Sequence, residues 1–221
     1  MKTESVSTSI ILGKRSYLLT TRLSNLAMQY DLMLFQDDVP FHYIMLPYDC
    51  CVFFREGSSV IEINGEERLA TAGQAVMVPH HSTIKVTTVG PHAAICILVM
   101  EPQSTLSQTY WLSREVAKTS TNSPIKRQLI DVEQCARVEW SSLPPGYKEP
   151  KHYFRQGNHY LHCHEASKIL LNHDLVADDL LLPPKTRLEI QNTALEPLDV
   201  MTITFPIHQR DRVFVLTQQR R

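Results

Sequence analysis

The sequence predicts an all-β protein made of two consecutive barrels, and three observations support this. Short runs rich in β-branched and aromatic residues follow one another from Tyr30 to Met100, with turn residues between them. The same pattern resumes after residue 130, and a polar stretch rich in Ser, Thr, Gln and Asn separates the two regions. The 221 residues have room for two domains of about 100 residues, each with its own core.

The first region contains eight predicted strands and one clear hairpin turn. The strands are predicted at residues 30–35, 41–46, 51–55, 59–63, 67–71, 75–78, 83–88 and 93–100. Asn64-Gly65 lies between two alternating runs, which is the strongest short signal for a β-hairpin. Eight short strands with little helix predict a closed barrel or jelly roll.

The second region is predicted to form a second barrel after a linker. Residues 104–130 are assigned to this linker, with one short helix from Thr109 to Lys118, so the domains are predicted as 1–103 and 131–221. Strands are predicted at 133–140, 159–164, 168–171, 175–182, 187–191, 199–205 and 212–216. Residues 72–79 and 177–184 share the order turn, apolar strand, proline, which indicates an internal repeat.

Composition limits the partners of the protein. Lys and Arg number 22 against 23 Asp and Glu, so there is no basic field for nucleic acid. No apolar run approaches the roughly 20 residues of a membrane-spanning helix. The five cysteines are odd in number and irregular in spacing, which argues against a disulfide framework. We therefore expect a soluble, cytoplasmic protein that binds neither nucleic acid nor membranes.

The turns of both regions resemble those of the cupin superfamily. The matching phrases are Arg55-Glu56-Gly57, Ile63-Asn64-Gly65-Glu66, Ala72-Gly73 and Val78-Pro79 in the first region, and Leu143-Pro144-Pro145-Gly146, Pro150-Lys151-His152 and Leu182-Pro183-Pro184 in the second. The first region also resembles the sensor barrel of arabinose-type transcriptional regulators. The resemblance implies a bicupin, with two tandem cupin-like jelly-roll barrels. In that family, two alternating histidines, a glutamate and a later histidine face one metal ion.

These ligand positions are largely replaced in the present sequence. In the first barrel the resemblance places them at Ile44, Leu46, Cys50 and Ile84. We therefore expect no metal there, and the interior is either a filled core or an apolar ligand pocket. In the second barrel the positions fall at His152, Phe154, His159 and Leu188, so two nitrogen ligands are kept.

Further candidate residues surround the second barrel. His162 and His164 have the alternate spacing that brings two imidazoles to one face of a strand, and imidazole suits transition metals. If His159 points inward, however, both point outward from an unbulged strand. A metal held by His152, His159, His162 and His164 and a set of hydrogen-bonded histidines without metal both stay open. Tyr147 and Tyr153 are candidates for ligand binding at the mouth of this barrel, or lie on a solvated loop.

Two functions of different classes fit the sequence, and it does not decide whether the protein is an enzyme. The first is a small-molecule-binding bicupin with degenerate metal sites, no cofactor, and a sensing or regulatory role. The alternative is a metal-dependent cupin enzyme of the dioxygenase or isomerase type, with its site in the second barrel and a tyrosine nearby for proton transfer. Because barrels of this kind often pair, we also expect a homodimer.

Overall fold

The structure is a computed structural model, and it describes residues 5–12, 15–24, 27–35, 41–43, 48–100, 106–120, 125–163, 169–172, 174–175, 179–207 and 211–215. These residues form strands almost throughout, with one short 3-10 helix at Arg114–Val116. None of the described helical residues forms a helix long and apolar enough to cross a membrane. The chain divides into two compact units, Met1–Val116 and Ala117–Arg221.

The first unit contains nine described strands in one antiparallel sheet. They are β1 Ser5–Leu12, β2 Arg15–Ser24, β3 Ala27–Phe35, β4 Phe41–Tyr43, β5 Cys50–Ile63, β6 Glu66–Thr71, β7 Ala75–Val78, β8 Ile84–Val99 and β9 Tyr110–Leu112. The strand order is β1-β2-β3-β8-β5-β7-β9, with β4 paired to β8 and β6 paired to β5.

The second unit contains eleven described strands in three sheets. They are β10 Lys118–Ser120, β11 Lys126–Val132, β12 Ala136–Leu143, β13 His152–Phe154, β14 Asn158–Cys163, β15 Ile169–Leu171, β16 Asp174–Leu175, β17 Leu180–Leu182, β18 Ile190–Asn192, β19 Leu198–Phe205 and β20 Arg212–Phe214. The largest sheet has the order β10-β11-β12-β19-β14-β17, and β13-β20 and β16-β15-β18 form the smaller ones.

The largest sheets of the two units share a strand order. In each one, three consecutive strands are followed in the sheet by the penultimate strand of the unit, then by a central strand and its short partner. The turn, strand and proline phrase noted in the sequence falls on β7 and β17, which occupy the equivalent place in the two units. The prediction of an all-β fold with two tandem barrels is confirmed.

Two glycines of the first unit, Gly57 and Gly65, occupy a bulge and a hairpin turn. The predicted hairpin at Asn64-Gly65 is confirmed, since both residues have positive φ (52° and 87°) and Ile63 pairs with Glu66. Two predicted strands, 51–55 and 59–63, are one strand interrupted by register shifts near Gly57. A Cβ at Gly57 would lie 2.3 Å from the His92 carbonyl oxygen, so the bulge needs glycine.

The predicted linker helix from Thr109 to Lys118 is not formed. Tyr110–Leu112 pairs with β7 instead, because its two aromatic residues and leucine suit a half-buried sheet edge. The predicted linker also contains β10 and β11, and β11 pairs along its whole length with β12. The boundaries at residues 103 and 130 stay predictions.

The two barrels differ in how completely apolar side chains fill them. The first has a large buried cluster from Leu32, Leu34, Cys50, Val52, Phe54, Ile61, Ile63, Ala70, Val76, Val78, Ile84, Val86, Ile95 and Ile97. The second has a smaller one from Ile125, Leu143, Leu161, Cys163, Ile169, Ile190, Leu198 and Val200. Polar side chains occupy much of the rest of the second barrel, and a cavity lies among them.

Candidate functional site

The cavity in the second barrel has a volume of about 190 Å³. One part of its wall is apolar, formed by Ile125, Leu143, Phe154, Ile190, Val200 and Ile207. The other part is polar, formed by Arg127, Arg137, Glu139, Ser141, Glu149, His152, His159, Thr202, Thr204, Asp211 and Arg212. Since a cavity of about 150 Å³ holds benzene, there is room for a molecule of about six to nine non-hydrogen atoms.

Two arginines share one buried glutamate in this wall. Arg127 Nη2 donates to Glu149 Oε1 at 2.8 Å, and Arg212 Nη2 donates to the same oxygen. Arg127 Nη1 also donates to Glu139 Oε1 at 3.0 Å, and Ser141 Oγ donates to that same Glu139 oxygen at 2.8 Å. The result is a connected cluster of two guanidinium and two carboxylate groups.

The two groups at the centre of this cluster, Glu149 and Arg127, stay ionised near neutral pH. Burial raises the pKa of Glu149, but the positive charges of Arg212 and then Arg127 outweigh burial and hold that pKa below its usual value. Burial likewise opposes the charge on Arg127, and Glu139 and Glu149 outweigh it, so the pKa of Arg127 is raised. The cavity therefore contains permanent charges of both signs.

His152 lies beside this cluster as a neutral imidazole, and its hydrogen bond to the backbone indicates which ring nitrogen carries the proton. Its Nδ1 is 2.9 Å from the Pro150 carbonyl oxygen. Because a carbonyl oxygen only accepts, Nδ1 carries the proton and Nε2 keeps a bare lone pair. Burial and then the Arg212 charge lower the pKa of His152. Arg212 Nη2 lies 3.5 Å from Nδ1.

His159 is a second neutral imidazole in the same wall. Its ring stacks on Phe154 with centroids 4.5 Å apart and an interplanar angle of 18°. Its Nδ1 is 2.9 Å from Thr204 Oγ1. Burial lowers its pKa to about 3, and the repulsion of a proton on His152 and the charge of Arg212 act in the same direction. The imidazole of His159 is therefore uncharged in the folded protein near neutral pH.

The structure brings together the four positions that the cupin resemblance assigns to metal ligands in the second barrel. His152, Phe154 and His159 line the cavity, and the rings of His152 and Phe154 are 5.7 Å apart. Leu188 is buried and pairs with His152 through two backbone hydrogen bonds of 2.8 and 2.7 Å. In the first barrel, Cys50 and Ile84 lie in the apolar cluster. Ile44 and Leu46 are outside the described residues.

The remaining predicted site residues lie elsewhere. His162 is on the opposite face of β14 from His159, where its Nδ1 is 2.5 Å from Asp179 Oδ1. His164 falls outside the described residues. Tyr147 packs against the apolar cluster of the second unit, and Tyr153 lines a separate outer cleft. Neither tyrosine is part of the cavity wall.

The donors in the cavity do not fit a cupin metal centre. Phe154 and Leu188 offer no donor atom at two of the four positions. Within the described ranges, no three His, Cys, Asp or Glu side chains are placed to hold one ion. The guanidinium of Arg212 is a fixed cation next to His152, and it repels a metal ion at that place. We therefore assign no chemistry in this cavity to a metal.

The charged part of the wall was not found from the sequence. Arg127, Glu139, Glu149 and Arg212 all lie on or next to strands of the second unit. On β12, the polar residues Arg137, Glu139 and Ser141 line the cavity. Polar residues at alternate strand positions normally indicate a solvent face, which is why the alternation gave no hint of a site.

Comparison with known proteins shows similarity of structure only. No protein-family model and no curated protein sequence matches the chain. AerE from Microcystis aeruginosa matches with a TM-score of 0.72 and 12% identity, over 90% of this chain and 97% of AerE. A structure of Bacillus subtilis oxalate decarboxylase, described for its Mn(II) centres, matches with a TM-score of 0.64 and 9% identity, over 95% and 77%. A cupin 2 conserved barrel domain protein from Leptotrichia buccalis gives 0.58 and 11%, over 91% and 89%.

The fold and the cavity together define a class: tandem β-barrels with a charged pocket inside the second barrel. Its structural neighbours include cupin-fold proteins, and the matches extend over both units. The chain has the bicupin fold.

Proposed function

We propose that the second barrel binds a small carboxylic acid in its cavity without a metal ion, as a ligand-binding module with a sensing or regulatory role. One observation carries the proposal. Arg212 and Arg127 share the buried carboxylate of Glu149 inside a cavity that also contains the neutral His152. Guanidinium groups are the side chains best shaped to bind a carboxylate with two hydrogen bonds.

The unused donors and acceptors of the wall indicate what the ligand carries. Among the described contacts, Arg212 uses only Nη2 on Glu149, so Nη1 is left for an acceptor on the ligand. The bare Nε2 of His152 accepts a hydrogen bond from a hydroxyl or amine. Thr202 and Thr204 add hydroxyl groups to the same wall. A hydroxy acid matches this set, with its carboxylate on Arg212 and its hydroxyl on His152.

A partly buried charge cluster of this kind is poorly explained by stability alone. Desolvating two arginines and two glutamates is unfavourable, and apolar residues of similar size are often as stable or more so. The first barrel has an apolar cluster in its interior. The name of oxalate decarboxylase, a structural neighbour, also refers to a small carboxylate. These points support a carboxylate as the ligand.

A thermal or urea unfolding assay tests the proposal. Trp111→Phe leaves Trp140 as the one tryptophan, so its fluorescence reports on the second unit. In EDTA, we expect lactate to stabilise this unit and lactamide, its neutral analogue, to have no effect. Saturating ligand at about 100 times Kd adds about 2.7 kcal/mol. Equal effects of lactate and lactamide, or no effect of either, would contradict the proposal.

Two variants and one control test whether lactate stabilises the second unit by binding in the cavity. Arg212→Met should abolish the stabilisation by lactate. Thr202→Val should weaken it while leaving the fold intact, because valine has the same shape as threonine. Lys148→Met is the matched control, since it removes a cation of the same unit that is paired with Glu189 at the surface. The control should respond to lactate as the parent does.

The alternative is the metal-dependent enzyme. It is supported by the presence of His152 and His159 on one cavity wall and by the Mn(II) centres of a structural neighbour. Metal analysis of tag-free protein, before and after addition of Mn, Fe, Ni or Zn, separates the two functions. We expect far less than one equivalent in both samples. A full equivalent that disappears in His152→Gln would support the enzyme instead.

Two further proposals concern the state of the protein in the cell. None of the five cysteines forms a disulfide bond, and all five are buried, which supports the cytoplasm as the compartment of the protein. We also propose a homodimer. Among the described strands, β1 is at the edge of its sheet and pairs with β2 alone, and an edge strand can pair with a second copy. Light scattering should give twice the chain mass of 25.3 kDa.

A further inference from the structure

A cationic cleft lies on the outside of the second barrel, separate from the cavity. It has a volume of about 530 Å³, and its walls are formed by Tyr153, Arg155, Gln156, Lys185 and Arg187. No carboxylate is part of this wall. The cleft therefore has three positive charges and two neutral hydrogen-bonding side chains.

The cations face one another because two chain segments pair here. His152 pairs with Leu188 in antiparallel fashion, which brings Tyr153 close to Arg187 and Arg155 close to Lys185. Alternate residues on a strand point to opposite sides, so His152 and Phe154 line the cavity while Tyr153 and Arg155 line the cleft. One pair of segments thus presents two different binding surfaces.

These cations are not neutralised by described neighbours. Several other cations of the second unit have carboxylate partners: Arg127, Arg137, Lys148 and Arg212. Within the part of the chain that the structure describes, Arg155, Lys185 and Arg187 form no ion pair. The nearby carboxylate of Asp211 is buried and accepts from the backbone N–H groups of Gln156 and Gly157, both at 2.9 Å.

The backbone holds the cleft in a fixed shape. Arg155 N donates to the Asp211 carbonyl oxygen at 3.1 Å, and Lys185 N donates to the Phe154 carbonyl oxygen at 2.6 Å. Lys185 has a φ of 68°, so its conformation is set by this turn. Binding an anion here would order side chains but not the main chain, which favours affinity.

We propose that this cleft binds the phosphate groups of a small molecule, with a diphosphate as the best match. Three cations clustered without acidic partners repel one another, and an anion with several charges relieves this repulsion. Arg155 and Arg187 provide planar groups that bind phosphate oxygens in pairs. Lys185, the Tyr153 hydroxyl and the Gln156 amide provide further donors.

Calorimetric titration of the full chain with inorganic diphosphate at low ionic strength tests this. We expect one site per chain, with affinity that falls as salt is added. Each of Arg155→Gln and Arg187→Gln should weaken binding about tenfold, because a charge-assisted hydrogen bond contributes about a factor of ten in affinity. Titration with ADP and with adenosine shows whether a nucleotide is preferred over diphosphate. Binding of ADP but not adenosine, with ADP binding weakened in Arg155→Gln, would place the phosphates in the cleft.

Two controls make the test specific. Arg68→Gln removes an exposed arginine of the first unit and should leave diphosphate binding unchanged. Arg212→Met alters the cavity and should also leave diphosphate binding unchanged. The proposal for the cleft and the proposal for the carboxylate site can therefore be refuted independently. No heat of binding to the parent, equal binding by Arg155→Gln, or equal weakening by Arg68→Gln would overturn the proposal. All three glutamine substitutions are at exposed positions and should leave the Trp140 unfolding midpoint unchanged.

Discussion

Acid should destabilise the second unit through His159 in particular. Burial lowers the pKa of this imidazole to about 3 in the folded protein, against about 6.5 in the unfolded chain. The unfolded chain therefore binds a proton that the folded unit does not, and stability present above pH 6.5 is lost as the pH falls towards 3. His152, whose pKa is also lowered, acts in the same direction.

The size of the effect follows from the two pKa values. Each pH unit between them changes the free energy of unfolding by about 1.4 kcal/mol. Moving from about pH 7.5 to about pH 5 should therefore lower the stability of the second unit by about 2 kcal/mol through His159 alone. Urea unfolding followed by Trp140 fluorescence in the Trp111→Phe background measures this quantity.

The contribution of His159 is isolated by measuring the free energy of unfolding of His159→Gln at the same two pH values as the parent. Glutamine can still bond Thr204 but does not titrate, so the loss on acidification should be about 2 kcal/mol smaller than in the parent. His92→Gln is the control, because His92 is an exposed imidazole of the first unit. An equal loss on acidification in the parent and in His159→Gln would refute the reasoning.

Three other substitutions or reagents test the same description. Glu149→Gln leaves two partly buried guanidinium groups without their shared carboxylate and should destabilise the second unit by about 1 to 3 kcal/mol. This loss should exceed that of Glu139→Gln, whose carboxylate is more exposed; equal losses would argue against a central role for Glu149. Gly157→Ala should lower the free energy of unfolding of the second unit by about 1 to 3 kcal/mol, because its Cβ would lie 2.9 Å from the Pro206 carbonyl oxygen and 3.0 Å from Asp211 Oδ2. An unchanged unfolding midpoint would show that the backbone at Gly157 shifts easily to make room. Cys50 and Cys51 should resist thiol reagents until the first unit unfolds. Burial raises the pKa of both thiols, that of Cys51 to about 12. Rapid labelling of these two cysteines in the folded protein would contradict their burial.

The fold was predictable from the sequence because it depends on alternation and turns. Asn64-Gly65 formed the expected hairpin, and the repeated turn, strand and proline phrase falls on equivalent strands. The strand Lys126–Val132 was missed because its charged and polar residues outnumber its apolar ones. It forms through pairing with β12, which is a tertiary effect that no local pattern reports.

The candidate site was predictable only in part. The cupin resemblance led to His152 and His159, and both line the cavity. The arginines and glutamates were missed because a charged residue on a strand normally faces solvent, whereas Glu139 faces the interior of the barrel. Arg212 and Glu149 are 63 residues apart in the chain, so their contact depends on how the barrel closes.

The central claim is that the second barrel holds a small carboxylate on Arg212 without a metal ion. The most direct measurement is the shift of the Trp140 unfolding midpoint on adding lactate in EDTA, in the Trp111→Phe background with and without Arg212→Met. We expect a shift to higher denaturant that disappears in Arg212→Met and is retained in Lys148→Met. A shift that persists in Arg212→Met, or one that requires added metal, would contradict the claim.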